Sequence, residues 1–157
     1  MRLSMILAGV CLVSGPAAVW ADWEYTRWGM TPEQVAAASK GAVTVEPPAK
    51  RTALPEANRQ SGADGSYDTG GLRLRLRFQF DTKSNGLVCV FATVADAAQN
   101  DRYRDLVVEK HGPPQKKAGL AVIGQETFFW SKADEIRLEM VKGHPTTVLH
   151  CKPGFGI

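Results

Sequence analysis

The sequence predicts an α+β protein in which two short helices pack on one face of a five- or six-stranded, mainly antiparallel sheet. Three observations lead to this fold class. Apolar and polar residues alternate without a break over 72–80, the pattern of a strand with one buried face. Helix-like segments at 32–39 and 97–111 carry start or stop signals. Each helix-like segment is followed in the sequence by up to three strand-like segments, and this order favours helices packed on a sheet.

Residues 1–21 are typical of a cleavable secretory signal peptide. Arg2 supplies a positive charge, and the apolar run that follows ends at Val13, too short to span a bilayer as a helix. Residues 17–21 place small or tolerated side chains at the positions that a signal peptidase recognises, and we expect cleavage after Ala21. The remaining chain, 22–157, suits one hydrophobic core, so we predict a single α+β domain in the periplasm or outside the cell.

A lipoprotein signal ending at Cys11 is the alternative interpretation of this segment. A lipidation site needs a small residue directly before the cysteine, and Val10 is branched. We therefore expect no stable membrane anchor after cleavage. The formal net charge of the whole chain is +3, an excess too slight to indicate a nucleic-acid partner.

Cys89 and Cys151 are the cysteines that remain after cleavage, an even pair in an oxidising compartment. We expect them to form a disulfide. Two separately buried thiols are the alternative, because sequence spacing does not show whether the Cα atoms come within the ~4.4–6.8 Å that a bridge requires.

The first helix is predicted by its start signals. Thr31 suits the N-cap, Pro32 suits the first helical position, and Gln34 suits the third, where it completes a capping box. Gly41 suits the region just beyond the helix end. These residues together predict a helix over 32–39.

A short strand at 42–45 is followed by a segment, 46–71, that is rich in Pro, Gly, Ser and Asp. Its only large apolar residues are Leu54 and Tyr67, which predicts a long loop. Loops of this length are unusual inside compact domains, so the segment is mobile, functional, or contains a short strand at 51–54.

The alternating strand at 72–80 is followed by Asn85-Gly86, a strong hairpin turn signal. The chain then returns as a nearly all-apolar strand at 87–94. Because strands that are covered on both faces lack polar positions, we predict that this strand is central and at least partly covered on both sides.

The second helix is predicted at 97–111. Its buried stripe is Tyr103, Leu106 and Val107, which lie on one side of a helix. Gly112 suits the position that ends it, and two prolines follow.

Residues 116–124 are predicted to form a second loop whose Leu120, Val122 and Ile123 could pack against the core. Three short strands then complete the chain in an order that suits a meander. They are predicted at 127–131, 135–141 and 146–151.

The helix boundaries carry a resemblance to known proteins. The Trp28-Gly29-Met30-Thr31 opening and the His111-Gly112-Pro113 ending resemble uncharacterised bacterial exported proteins with a W-G-M-S/T helix start and a Y-G-x-P helix stop. The plan is also loosely similar to the small lipoprotein of the outer-membrane assembly machine and to β-lactamase-inhibitor proteins. These are structural motifs, so the resemblance implies a fold and assigns no functional residue.

No catalytic or metal-binding arrangement is recognisable in the sequence. His111, His144 and His150 fall at a helix end, in a turn and on a strand, and none forms the one-turn histidine pair of hydrolytic zinc sites. The serine elbow Gly-x-Ser-x-Gly is absent. We therefore expect no enzyme, no cofactor and no metal. An enzyme would need His144 or His150 within hydrogen-bond reach of a carboxylate and a nucleophile.

Arg73, Arg75 and Arg77 project from one face of the alternating strand, roughly 6 to 7 Å apart. Guanidinium groups in such a row could bind phosphate, a polymer bearing carboxylates, or an acidic protein. The alternative is a solvated face neutralised by Glu135 and Glu139 from a neighbouring strand.

Trp23 and Tyr25 lie close to the predicted new N-terminus and are candidate partner contacts if they are exposed. Trp28 and Trp130 are more simply expected in the core.

These features predict a non-catalytic, exported interaction module that contacts an envelope protein through the three arginines or through the Trp23 and Tyr25 edge. The alternative is a binder of a small anionic ligand or an envelope polymer, which would use Arg73, Arg75 and Arg77 with the 46–71 loop as a lid.

Overall fold

The computed structural model of the 157-residue chain describes residues 23–54 and 57–156. The predicted signal peptide, residues 1–21, lies outside the described residues. None of the helices in the described ranges is long and apolar enough to cross a membrane.

The described residues form two α-helices and one nine-stranded antiparallel sheet. The helices are α1 (Pro32–Ala38) and α2 (Asn100–His111). The strands are β1 (Val43–Val45), β2 (Ala53–Leu54), β3 (Arg59–Thr69), β4 (Leu72–Asp81), β5 (Leu87–Val94), β6 (Lys116–Leu120), β7 (Gln125–Ser131), β8 (Glu135–Val141) and β9 (Thr147–Cys151). The strand order is β1-β3-β4-β5-β9-β8-β7-β6, with β2 also paired to β3.

The α+β class and the antiparallel sheet are confirmed, but the prediction of five or six strands is wrong. The additional strands β3 and β6 come from segments predicted to be loops, and β2 confirms the alternative of a short strand at 51–54. The final meander is confirmed, because β7 pairs with β8 and β8 with β9.

The prediction of a loop at 46–71 is wrong for its second half, because β3 occupies Arg59–Thr69. This strand pairs with β4 on one side and with β1 and β2 on the other. Its small residues permit close packing: a Cβ added at Gly62 would lie 2.5 Å from Cδ2 of Phe80. Pairing on both edges satisfies its backbone, so β3 forms without an apolar side-chain pattern.

The predicted loop at 116–124 is also partly wrong, because Lys116–Leu120 forms the edge strand β6. Its apolar residues do not pack against the core. Leu120, Val122 and Ile123 are 59%, 95% and 51% exposed. An edge strand is held by hydrogen bonds to one neighbour, here β7, and this does not require burial of its side chains.

Both helices start or end at the predicted residues. Thr31 caps α1 through a complete capping box, in which the Thr31 N–H donates to Gln34 at 2.9 Å and the Gln34 N–H donates to Thr31 at 3.3 Å. Helix α2 begins after a short 3-10 turn at Ala97–Gln99 and ends at Gly112, whose φ is 77°. A positive φ favours glycine there.

One face of the sheet forms the core with the helices. On β4, Leu72, Leu74, Leu76, Phe78 and Phe80 are all buried, which confirms the predicted alternation. They belong to the same cluster as residues of both helices: Val35 of α1 and Tyr103 and Val107 of α2, with Leu106 partly buried against it. The helices therefore lie on one side of the sheet, and the polar residues of β4 face the other side.

The central strand β5 carries half of the disulfide. Cys89 lies opposite Cys151 of β9 and is bonded to it, with the Cα atoms 4.1 Å apart, slightly closer than the usual range for a bridge. The predicted bridge is thus present. Strand β5 is buried on both faces near Cys89, whereas Phe91 and Thr93 on the face away from the helices are half-buried.

Candidate functional site

The face of the sheet opposite the helices carries the predicted arginine row. Arg73, Arg75 and Arg77 are all exposed, while the leucines between them are buried. We call these arginines, together with Phe91 and Thr93 of β5, the arginine face. Strand β4 positions all five residues, because β5 pairs with it in a register that sets Thr93 opposite Arg75 and Phe91 opposite Arg77.

The neighbours of the arginines differ from those predicted. Strand β4 lies between β3 and β5, and β9 separates β5 from β8. Glu135 and Glu139 are on β8, so their predicted role in neutralising the row is wrong. The residues opposite the three arginines on β3 are Asp68, Ser66 and Asp64.

Only part of the arginine row is paired. Arg77 Nε lies 3.1 Å from Asp64 Oδ1, and both side chains are exposed, so this ion pair contributes little stability. Arg73 donates a long hydrogen bond of 3.4 Å to Ser66. Arg75 has no ion pair or hydrogen-bonding side-chain partner in the described part of the chain. Its guanidinium is therefore available to a ligand.

A cavity of about 390 Å³ opens beside Arg75 and Arg77. Phe91, Thr93 and Asp64 also line it. Because Asp64 is paired with Arg77, the cavity offers the unpaired guanidinium of Arg75, a hydroxyl and an aromatic ring together. This combination suits a ligand that carries both carboxylates and some apolar surface.

The arginine face continues across the sheet as a row of paired positions. Phe91 lies opposite Leu149 of β9, and Leu149 lies opposite Arg137 of β8. Phe129 of β7 in turn lies opposite Arg137. Two cationic and three apolar side chains thus form one row across five neighbouring strands, from Arg77 to Phe129.

The N-terminal aromatic residues lie in the core and not at an exposed edge. Trp23 is 6% exposed and contacts Tyr25 and Tyr67 edge-on, with ring centroids 5.8 and 5.3 Å apart. Tyr25 is half-buried, and burial raises its pKa to about 12. The condition for a partner contact at Trp23 and Tyr25, exposure of both rings, is therefore not met.

A second polar cluster, which the sequence did not reveal, lies on the helix side of the sheet. His150 Nε2 is 2.6 Å from Asp134 Oδ2, and Trp28 Nε1 donates to Asp134 Oδ1 at 3.1 Å. The ring of His150 also lies 5.6 Å from that of His111. We call Trp28, His111, Asp134 and His150 the histidine cluster.

The histidine cluster meets one of the two conditions for an acid–base enzyme. His150 is hydrogen-bonded to the carboxylate of Asp134. Among the described residues, however, no hydroxyl or thiol that could act as a nucleophile is hydrogen-bonded to His150. Burial, with the nearby charge of Lys110 and the proximity of the His150 ring, lowers the pKa of His111 to about 4. His111 is therefore neutral at pH 7.

The described residues contain no group of three or more His, Cys, Asp or Glu side chains placed to hold a metal ion. Comparison with protein-family models, with curated proteins and with solved structures finds no match to this chain.

Proposed function

We propose that this protein is an exported, non-catalytic interaction module whose arginine face binds an acidic, extended segment of an envelope protein. The observation that carries the proposal is Arg75. It is an exposed guanidinium in the middle of a three-arginine row, and it has no acidic partner within the described residues.

The geometry of the row supports an extended peptide as the ligand. Alternate residues of a strand are roughly 6 to 7 Å apart, so carboxylates at every second position of an extended segment match the spacing of Arg73, Arg75 and Arg77. Phe91, beside Arg77, gives the segment an apolar contact.

The proposed export is supported by the disulfide between Cys89 and Cys151, which is compatible with an oxidising compartment. The predicted signal peptide at 1–21 supports the same location.

A small anionic ligand or an anionic envelope polymer is the second candidate, and the cavity beside Arg75 favours it. A 46–71 loop acting as a lid does not enter this candidate, because Arg59–Thr69 of that segment forms β3, which is paired into the sheet. Each candidate predicts binding that weakens as salt screens the arginines.

Site-specific photo-crosslinking in cells tests the proposal. A photoreactive residue at Thr93, inside the arginine face, is expected to give one protein adduct. The adduct is lost in Arg75→Glu and kept in the matched control Arg27→Glu, which reverses an exposed arginine outside this face.

The binding step is then measured with a fluorescent peptide bearing Glu at alternate positions, against a peptide of equal charge with its glutamates adjacent. We expect at least about tenfold weaker binding to Arg75→Glu, since a charge pair becomes a repulsion. An adduct that persists unchanged in Arg75→Glu contradicts the proposal. Salt-sensitive binding of phosphate or polyanions alone, with no protein adduct, would instead favour the second candidate.

A further inference from the structure

A second cavity, of about 430 Å³, lies on the helix side of the sheet, away from the arginine face. It is bounded by α2 and by the buried faces of β4 and β9. Its apolar walls include Leu74, Leu106, Val107 and Val148. A cavity of this size is in the range that holds small organic ligands.

His150 supplies a buried polar group at this cavity. Its side chain is 4% exposed, and its Nε2 is held by Asp134, whose side chain is 9% exposed. Asp134 accepts the Nε2 proton, so in neutral His150 the other ring nitrogen, Nδ1, is a hydrogen-bond acceptor. Nδ1 has no hydrogen-bond partner in the described ranges.

The lysine that lines the cavity is already paired, and Glu109, which also lines it, is acidic and does not attract an anion. Lys110 lies 2.5 Å from Glu24, and the Tyr67 hydroxyl donates to Glu24 at 2.9 Å. His111 adds no charge at neutral pH, because its pKa is lowered. The cavity therefore combines apolar walls with an acceptor and presents no free cation to an anionic ligand.

We propose that this cavity binds a small, uncharged aromatic molecule that bears a hydroxyl or N–H group. The ring packs against Leu74 and Val148, and the hydroxyl or N–H donates to Nδ1 of His150. This inference is independent of the proposed function, since it concerns the opposite side of the sheet and a different chemistry.

The probes are phenol and indole, each compared with its methylated counterpart, anisole and 1-methylindole, and with charged benzoate. Binding to the full chain is measured by calorimetry, and the site by nuclear magnetic resonance of the histidine side chains. We expect phenol and indole to bind at least tenfold more tightly than anisole, 1-methylindole and benzoate. Signals of His111 and His150 should shift, and those of His144, which does not line the cavity, should not.

A variant tests the role of the acceptor. In Asp134→Asn the amide can donate to Nε2, which moves the ring proton to Nδ1 and turns this atom into a donor. The preference should then reverse, so that acetophenone, which only accepts, binds more tightly than phenol. Asp68→Asn, an exposed change on β3, is the matched control and should keep the wild-type preference.

Circular dichroism of Asp134→Asn checks that the variant is folded; if it is not, the comparison of phenol with anisole on the wild-type chain decides alone. Equal binding of phenol and anisole overturns the proposal. So does the absence of binding by every probe at millimolar concentration, or a response confined to the arginine face. None of these outcomes bears on the crosslinking test at Thr93, so the two proposals can fail separately.

Discussion

His150 and Asp134 form a buried hydrogen-bonded pair, with Nε2 and Oδ2 2.6 Å apart. The register of the last two strands brings them together. Ile136 of β8 lies opposite His150 of β9, so Asp134, two residues before Ile136, approaches from the same face. Because Trp28 donates to the other carboxylate oxygen, both oxygens of Asp134 are hydrogen-bonded.

Asp134→Ala should lower the free energy of unfolding by about 3 kcal/mol, because it leaves the buried N–H groups of His150 and Trp28 without an acceptor. Urea denaturation at pH 7.5 measures the change. Asp68→Ala, at an exposed position, is the control and should change the free energy by less than about 0.5 kcal/mol. A loss below about 1 kcal/mol in Asp134→Ala would contradict the buried pair.

His111 should make stability depend on pH between about 4 and 6.5. Its pKa falls from 6.5 to about 4 on folding, mainly because burial disfavours the charged form. In this window the unfolded chain binds more protons at His111 than the folded chain does. Stability contributed by neutral His111 is therefore full above pH 6.5 and is lost as the pH falls toward 4.

His111→Gln, which cannot titrate, should give a shallower loss of stability between pH 6.5 and 4 in urea denaturation series. The internal control is the range from pH 7 to 8, where wild type and variant should differ by a constant amount. Glu24 adds a separate loss below about pH 4.5, because its pKa is lowered on folding, in part by Lys110 and despite its burial. Parallel curves for wild type and variant from pH 8 to 4 would show that His111 is not the titrating group.

The elements that could be predicted from sequence carry their signal within a few neighbouring residues. The alternation over 72–80 defines β4, and Thr31, Pro32 and Gln34 define the start of α1. The alternation of buried and exposed residues on a strand and the capping of a helix end both depend on residues close together in the sequence. They can therefore be predicted without knowing which strand lies alongside.

Strands β3 and β6 could not be predicted in this way. Their residues carry no strand pattern of their own, and they are held in the sheet by hydrogen bonds to neighbouring strands. The arginine row was found from the alternation of β4, but its partners depend on the strand order. The histidine cluster joins four segments that are separate in the sequence. Asp134 lies two residues before Ile136, the residue opposite His150, but this relationship can be recognised only once the β8–β9 register is known.

Loss of the disulfide should lower the free energy of unfolding by about 4 kcal/mol, since Cys89 and Cys151 close a loop with a sequence separation of 62. The double variant Cys89→Ala/Cys151→Ala tests this by urea denaturation. Dithiothreitol should destabilise the wild type by a similar amount and leave the double variant unchanged. If the reductant has no effect on the wild type under denaturing conditions that expose the bond, the two cysteines are not bridged.

Gly62→Ala should destabilise the fold by about 2 kcal/mol through overpacking. The added Cβ would lie 2.5 and 2.8 Å from two ring carbons of Phe80 and 3.3 Å from Cγ of Pro32. Phe80 is fully buried, so its ring cannot move aside into solvent.

A double-mutant cycle with Phe80→Leu separates this steric effect from a general preference for glycine on β3. The smaller leucine gives the new methyl group room, so Gly62→Ala should cost at least about 1 kcal/mol less in the Phe80→Leu background than in the wild type. Chemical denaturation of the four proteins supplies the cycle. Additive effects, within about 0.5 kcal/mol, would mean that Gly62 and Phe80 are not in contact and that β3 does not lie against β4 in this register.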